Sequence, residues 1–269
     1  MKKLHEIRNA VTCGHPLIHC ITNPISINQC ANAVLAVGAR PVMAEHPGEV
    51  REITGTADAL LCNLGNITDV RMESMRLSLA AAKEKNIPAV IDAVGIACSK
   101  LRHGYLEELM KTASPTVVKG NYSEIAALYS GNYRFPGVDA EASLDKTAVS
   151  RMAAELAQSF GTVILASGKT DIVTDGVRMV HIHNGTPQLA SVTGTGCMLG
   201  ALCASYLSVS PEPDAAVCAC AVLGVCGQLA ETDRGSGSFL RNLMDSLSVL
   251  TVTDFEKYLY LEEIGIETI

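Results

Sequence analysis

Residues 68–113 read TDVRMESMRLSLAAAKEKNIPAVIDAVGIACSKLRHGYLEELMKTA. The first part, Thr68 to Asn86, has helical periodicity, with Thr68 placed to cap the N-terminus. The last part, Ser99 to Ala113, reads as a second helix. Between them lies PAVIDAVG, Pro88 to Gly95, a short apolar run bounded by Pro and Gly, which reads as a buried strand. A strand entered from one helix and left through another belongs to a parallel sheet with right-handed crossovers.

The same alternation extends in both directions. Strands are expected at PLIHCI (16–21), RPVMA (40–44), DALLCNLG (58–65), TVVKGN (116–121) and TVILASG (162–168). Helices are expected at PISINQCANAVLAVG (24–38, with Pro24 near its start and Gly38 past its end), YSEIAALYSG (122–131) and LDKTAVSRMAAELAQSFG (144–161). DIVTDG (171–176) and RMVHIHN (178–184) follow each other without a helix, so they form an antiparallel hairpin at one edge, turning at Asp175-Gly176. From Gly196 onward the pattern is mainly helical, and residues 130–143 read as a long surface loop. The fold class expected is α/β, a mostly parallel central sheet with helices on both faces, in a single domain over residues 1–269.

Composition narrows the function classes. The 269 residues are 48% hydrophobic and 18% charged, enough to bury a sizeable core. The net charge is -7, aromatics are 4% and Trp is missing, so neither the basic face nor the stacking platform of a nucleic-acid binder is present. No apolar segment follows the N-terminal lysines, and AAVCACAVLGVCG (215–227) is too short to span a bilayer. A cytoplasmic location is expected, with the ten cysteines mostly reduced and many of them core residues. Cys13, His15, His19 and Cys20 lack paired metal-ligand spacing and read as a turn leading into a buried strand.

In open parallel sheets, ligands bind beyond the C-terminal strand ends. The polar groups expected there are Asn23, Met43 to Glu45, Asn63, Asn66, Asp92, Lys119, Asn121 and Ser167, with Glu124 just inside the next helix. The sharpest local feature is SVTGTGCMLGAL, residues 191–202. A Gly-rich loop opening a helix gathers free amides into an anion hole; the plainer reading is a tight turn before a packed helix. Cys197 at that helix start is a general base, a nucleophile or a small core residue. Asp92 and Glu124 are the carboxylates suited to Mg²⁺, against the alternatives of a turn cap and a first-turn acid. Lys119 pairs with phosphates or is a solvated strand end.

Seven segments, HCITNPIS, GARPVMAEHP, ALLCNLGN, VIDAVG, KGNYSEI, GKTDIVTDG and VTGTGC, occur in this order over nearly the whole chain. Together they resemble the hydroxyethylthiazole kinases, which have the ribokinase-like fold. The resemblance implies ATP-dependent phosphorylation of 5-(2-hydroxyethyl)-4-methylthiazole at its primary hydroxyl, in thiamine salvage. It implies Cys197 at the base position, which is Asp in the wider ribokinase-like group. It implies Met43, Gly194 and Asn23 at the thiazole, Lys119, Ser167 and Gly196 at ATP, and Asp92 and Glu124 organising Mg²⁺. Lys119 stands where Arg is frequent, which keeps the charge without the bidentate fork, and Ser167 where Thr is frequent. The family is trimeric with active sites between subunits, and this chain shows no inserted β-lid of the sugar-kinase kind, so no separate lid domain is expected. Two rivals remain: a thiol-dependent transferase using Cys197 as nucleophile with His181 or His183 as base, and a nucleotide-binding regulator without turnover.

Overall fold

The computed structural model describes residues 2–131, 144–211 and 213–265. The loop expected over 130–143 lies almost wholly outside the described residues.

The strands are β1 (Leu17–Ile21), β2 (Arg40–Val42), β3 (Ala59–Asn63), β4 (Ala89–Asp92), β5 (Val117–Asn121), β6 (Val163–Ser167), β7 (Asp171–Thr174), β8 (Met179–Ile182) and β9 (Leu261–Ile264). They form one sheet in the order β2-β1-β3-β4-β5-β6-β7-β8-β9. The first six in that order run parallel, and β7, β8 and β9 are joined antiparallel. The α/β fold class and mostly parallel sheet expected from the sequence are therefore present. Every residue of β3 and β4 is buried, which is why these strands read as unbroken apolar runs rather than alternating ones.

Helices cover both faces. One face carries α1 (Lys2–Gly14), α2 (Ile27–Ala36), α8 (Thr195–Leu207), α9 (Pro213–Leu229), α10 (Ser236–Val249) and α11 (Val252–Tyr258), whose apolar side chains share one core cluster. The other carries α3 (Val50–Thr56), α4 (Asp69–Lys85), α5 (Lys100–Thr112), α6 (Tyr122–Ser130) and α7 (Lys146–Phe160). Local signals fix several ends. Thr68 accepts a hydrogen bond from the Arg71 amide, and Asn86 closes α4 in the left-handed conformation. The apolar run 215–227 forms the greater part of α9, buried along nearly its whole length. No described helix is long and apolar enough to cross a membrane.

Some expectations shift. Pro24 lies in a turn ahead of α2, because the Asn23 side-chain oxygen accepts from the amides of Ile25 (3.1 Å) and Ser26 (3.2 Å) and delays the helix to Ile27. Helices α1 and α3 and strand β9 were not anticipated. The hairpin is consequently not the outermost element, since β9 pairs outside β8. With LEEI as its sequence, β9 has too little apolar content to stand out and is set by pairing. His19 and Cys20 are successive residues of β1 and face opposite sides of the sheet. Both His19 ring nitrogens are engaged, with Thr54 Oγ1 (2.8 Å) and the Ala44 carbonyl (2.9 Å). The buried strand is as expected, whereas Cys13 lies in the last turn of α1, and only His15 and Pro16 separate that helix from β1.

Candidate active site

Register places the chemistry. Asn63 is level with Asp92, Asp92 with Lys119, and Asn121 with Ser167. Residues level with one another on neighbouring strands share a face, so Asn63, Asp92 and Lys119 form one polar row at the C-terminal ends of β3, β4 and β5.

This row is bonded end to end. Lys119 Nζ donates to Asp92 Oδ1 (2.8 Å), and Asn63 Nδ2 donates to Asp92 Oδ2 (2.7 Å). Asn23 Nδ2 then donates both to Asn63 Oδ1 (3.2 Å) and to Cys197 Sγ (3.3 Å). A continuous chain thus runs from Lys119 to Cys197 through Asp92, Asn63 and Asn23. Gly65 completes the corner: its amide donates to Asn63 Oδ1 (2.8 Å), and a Cβ there would lie 2.8 Å from that oxygen and 2.9 Å from Asn23 Nδ2.

Asp92 and Lys119 are both buried. Burial pushes the Asp92 carboxyl up, and the Lys119 charge and the Asn63 amide oppose that rise. Burial by itself would lower the Lys119 ammonium, but Asp92 and Glu124 outweigh it and hold the group above its usual range. Each charge thus opposes the effect of burial on the other. Glu124 is also pushed up by burial, with the Lys119 charge opposing. Its two oxygens accept from the Gly95 amide and the Asn121 amide, each at 2.7 Å. With Asn121 Oδ1 accepting from the Glu124 amide (2.8 Å), this is a capping box at the start of α6. Glu124 therefore fills the first-turn role weighed from the sequence, and does so while ties to Gly95 link it to the loop after Asp92.

Helix α8 stands above the row. Gly194 caps it with φ of +91°, a conformation that side chains resist, and the first-turn amides of Thr195, Gly196 and Cys197 have no acceptor within the helix. Gly194 packs on Ser26, where its Cβ would lie 3.1 Å from that of Ser26. The Lys119 ammonium lies beneath Gly196, at 3.7 Å from where a Cβ would be, and Asp92 Oδ2 lies 3.4 Å from the corresponding point at Gly200. On the far side, a cleft of about 650 Å³ opens between the strand ends and helices α8 and α9. Ser167, Gly196, Thr195, Asp171 and His183 are among its walls. Burial raises the Asp171 carboxyl to about 6, against the pull of the Gly168 amide and the Cys220 thiol.

Most of the residues named from the sequence are thus gathered about the start of α8. Asn23, Asp92, Lys119 and Cys197 lie on the bonded chain, and Gly194 and Gly196 lie over it. Ser167 stands apart from that chain, donating to the Gly120 carbonyl (3.4 Å), but shares the cleft with Gly196. Met43 follows β2 at the sheet edge and packs, half-buried, on the core cluster that Cys197 also touches. Asn63 was noted as a polar strand end without a role, and it is the junction of the chain. Asp171 was not singled out. The Cys197 thiol meets the Asn23 amide and not an imidazole, while His183 is paired with Glu262 (3.2 Å), so the nucleophile–histidine arrangement is not formed.

A sequence model of the hydroxyethylthiazole kinase family matches residues 5–253. The chain belongs to the hydroxyethylthiazole kinase family. It is 45% identical over 249 residues to hydroxyethylthiazole kinase 2 of Clostridium botulinum, covering 90% of this chain and 93% of that protein. The solved hydroxyethylthiazole kinase of Pyrococcus horikoshii superposes with a TM-score of 0.89 at 32% identity, covering 98% of this chain and 100% of that one. A ribokinase-like superfamily protein of Enterococcus faecalis shares the fold, with a TM-score of 0.63 at 16% identity, covering 90% of this chain and 87% of that one. Membership of the thiazole kinase family and the ribokinase-like fold expected from the seven motifs are both established by these matches.

Proposed function

We propose that this chain transfers the γ-phosphoryl group of ATP to the primary hydroxyl of 5-(2-hydroxyethyl)-4-methylthiazole, as a single kinase domain over residues 1–269. The observation that carries the reading is the bonded chain Lys119–Asp92–Asn63–Asn23–Cys197 beneath the N-terminus of α8, in a member of the thiazole kinase family.

The alcohol binds on the Asn23, Met43 and Gly194 side, with its oxygen toward Cys197. ATP occupies the cleft, with its terminal phosphate at the first-turn amides and its remainder against Ser167 and Gly196. The alcohol oxygen forms the new P–O bond, the bond to the ADP oxygen breaks, and the hydroxyl proton passes to Cys197 Sγ, which enters the step as a thiolate and leaves it as a thiol. A loose phosphoryl transition state places most of the demand on positioning and charge stabilisation, which the amides of residues 195–197 and the Lys119 ammonium supply. Asn23 orients the thiol, and its own orientation is fixed by the Ile25 and Ser26 amides.

The donor set fits Mg²⁺. Asp92 and Glu124, two buried carboxylates, face one buried ammonium. Each carboxylate oxygen already accepts one bond and retains a second lone pair, enough to hold waters of a hydrated ion. When bound, Mg²⁺ supplies charge neutralisation of the phosphate oxygens. Ile25 (62% exposed), two residues from Asn23, presents apolar surface and supports a homotrimer whose neighbouring subunit covers the thiazole. Ten free thiols suit the cytoplasm.

The test is product mass after incubation with ATP, Mg²⁺ and the thiazole alcohol. A phosphorylated thiazole that requires Mg²⁺ is expected. Nucleotide binding without product would favour the regulator reading, and an adduct on Cys197 without ATP the transferase reading.

A further inference from the structure

The last three strands bring together donors that phosphoryl transfer does not use. His181 lies on β8 and His183 directly follows its last residue, with their ring centroids 6.3 Å apart. Register sets Glu262 of β9 directly opposite His181, on the same face of the sheet. One donor atom from each of the three residues lies within 4.8 Å of the others.

The state of each donor is informative. His181 is only 4% exposed, its Nε2 lies 3.0 Å from Ser150 Oγ, and its Nδ1 is buried without a hydrogen-bond partner. An orphaned buried nitrogen is uncommon, because desolvation without a bond is unfavourable. In the tautomer that donates from Nε2 to Ser150, Nδ1 carries a free lone pair. A hydrogen bond on the far ring nitrogen is how metal-binding imidazoles are oriented. His183 Nε2 lies 3.2 Å from Glu262 Oε2, and its ring stacks on Tyr260 with centroids 4.5 Å apart.

We propose that His181, His183 and Glu262 bind a transition-metal ion of the Zn²⁺ type, with Ser150 positioning the His181 ring. Two imidazoles and one carboxylate suit Zn²⁺, Co²⁺ or Ni²⁺, not the all-oxygen shell of Mg²⁺. Donors around tetrahedral Zn²⁺ lie about 3.3 Å apart, so the widest pair closes by about 1.5 Å, within reach of side-chain rotation. Water completes the shell. The bound ion crosslinks β8 to β9 and fixes His183, which is also a wall of the cleft. The inference does not depend on the proposed kinase activity.

Co²⁺ titration of the full-length protein, followed by visible and near-ultraviolet absorption, tests this. One equivalent is expected to give visible bands without the intense thiolate charge-transfer band, and Zn²⁺ should displace it while excess Mg²⁺ does not. His181→Ala and Glu262→Gln should each weaken binding at least tenfold, and Ser150→Ala about tenfold. Circular dichroism verifies folding of each variant; if His181→Ala fails to fold, Glu262→Gln on the exposed edge strand decides. Unchanged affinity in the folded variants would overturn the proposal. So would the absence of saturable binding, or a thiolate band showing that exposed cysteines such as Cys13 and Cys98 hold the ion.

Discussion

Asn23 holds Cys197 in place: its amide nitrogen lies 3.3 Å from the sulfur while donating to Asn63 at 3.2 Å. Its oxygen is taken by two backbone amides, so the side chain has one orientation that satisfies every partner. Asn23→Ala removes both donors and opens the turn before α2. A fall in kcat/KM of about 100-fold, about 2.7 kcal/mol of transition-state stabilisation, is expected in an ADP-release assay. Asn23→Asp should be no better, because an acceptor replaces the donor facing the sulfur. Wild-type rates in both variants would remove Asn23 from the machinery.

Cys197 is tested by charge and by deletion. Cys197→Asp replaces the thiol with a carboxylate, a proton acceptor of the same reach, and is expected to retain or increase turnover. Cys197→Ala should lose about 10–100-fold in kcat, the span of a proton acceptor assisting an already loose transition state. Full activity in the Ala variant together with an inactive Asp variant would make Cys197 a packing residue.

The Lys119–Asp92 pair separates stability from activity. Lys119→Ala leaves a buried carboxylate without its cation, and should destabilise the protein by about 3–5 kcal/mol. Adding Asp92→Asn should recover much of that loss in urea denaturation while turnover stays abolished. Asp92→Ala and Glu124→Gln should each raise the Mg²⁺ concentration needed for half-maximal rate. Superimposable Mg²⁺ titrations would exclude these carboxylates from the metal site.

Asp171 gives a pH signature. Its carboxyl is raised to about 6, so the folded protein keeps a proton that the unfolded chain has already released. The unfolded state binds fewer protons between about pH 4 and 6, and stability contributed by this group falls as pH rises through that window. Wild type should therefore lose on the order of 1 kcal/mol relative to Asp171→Asn between pH 4 and 6. Parallel stability curves for the two proteins would mean that Asp171 titrates normally.

The sequence made the central sheet legible because β3, β4, β5 and β6 are short apolar runs and the helices α4, α5 and α6 between them start at side-chain caps, so pattern and propensity agree. It also placed Asp92 at the end of β4 and Cys197 in the first turn of α8, whereas Lys119, read as a strand end, lies within β5, which continues to Asn121. What it left hidden depends on pairing across the chain. Strand β9 has two glutamates in four residues and is a strand only because β8 lies beside it. Asn63 looks like any polar strand end until register sets it beside Asp92, and Glu124 had two readings that only the amides of Gly95 and Asn121 distinguish. Asp171 begins a strand whose neighbours in space, Gly168 and Cys220, are set by the connection from β6 to β7 and by α9.

The polar row at the strand ends also constrains how this chain can change in length. Asn63, Asp92 and Lys119 share a face only because three strands hold one alignment. Adding or removing a single residue inside β3, β4 or β5 would turn one member of the row to the opposite side of the sheet. The crossover helices and the loops at the opposite edge carry no such parity, so a change of length there leaves the row intact.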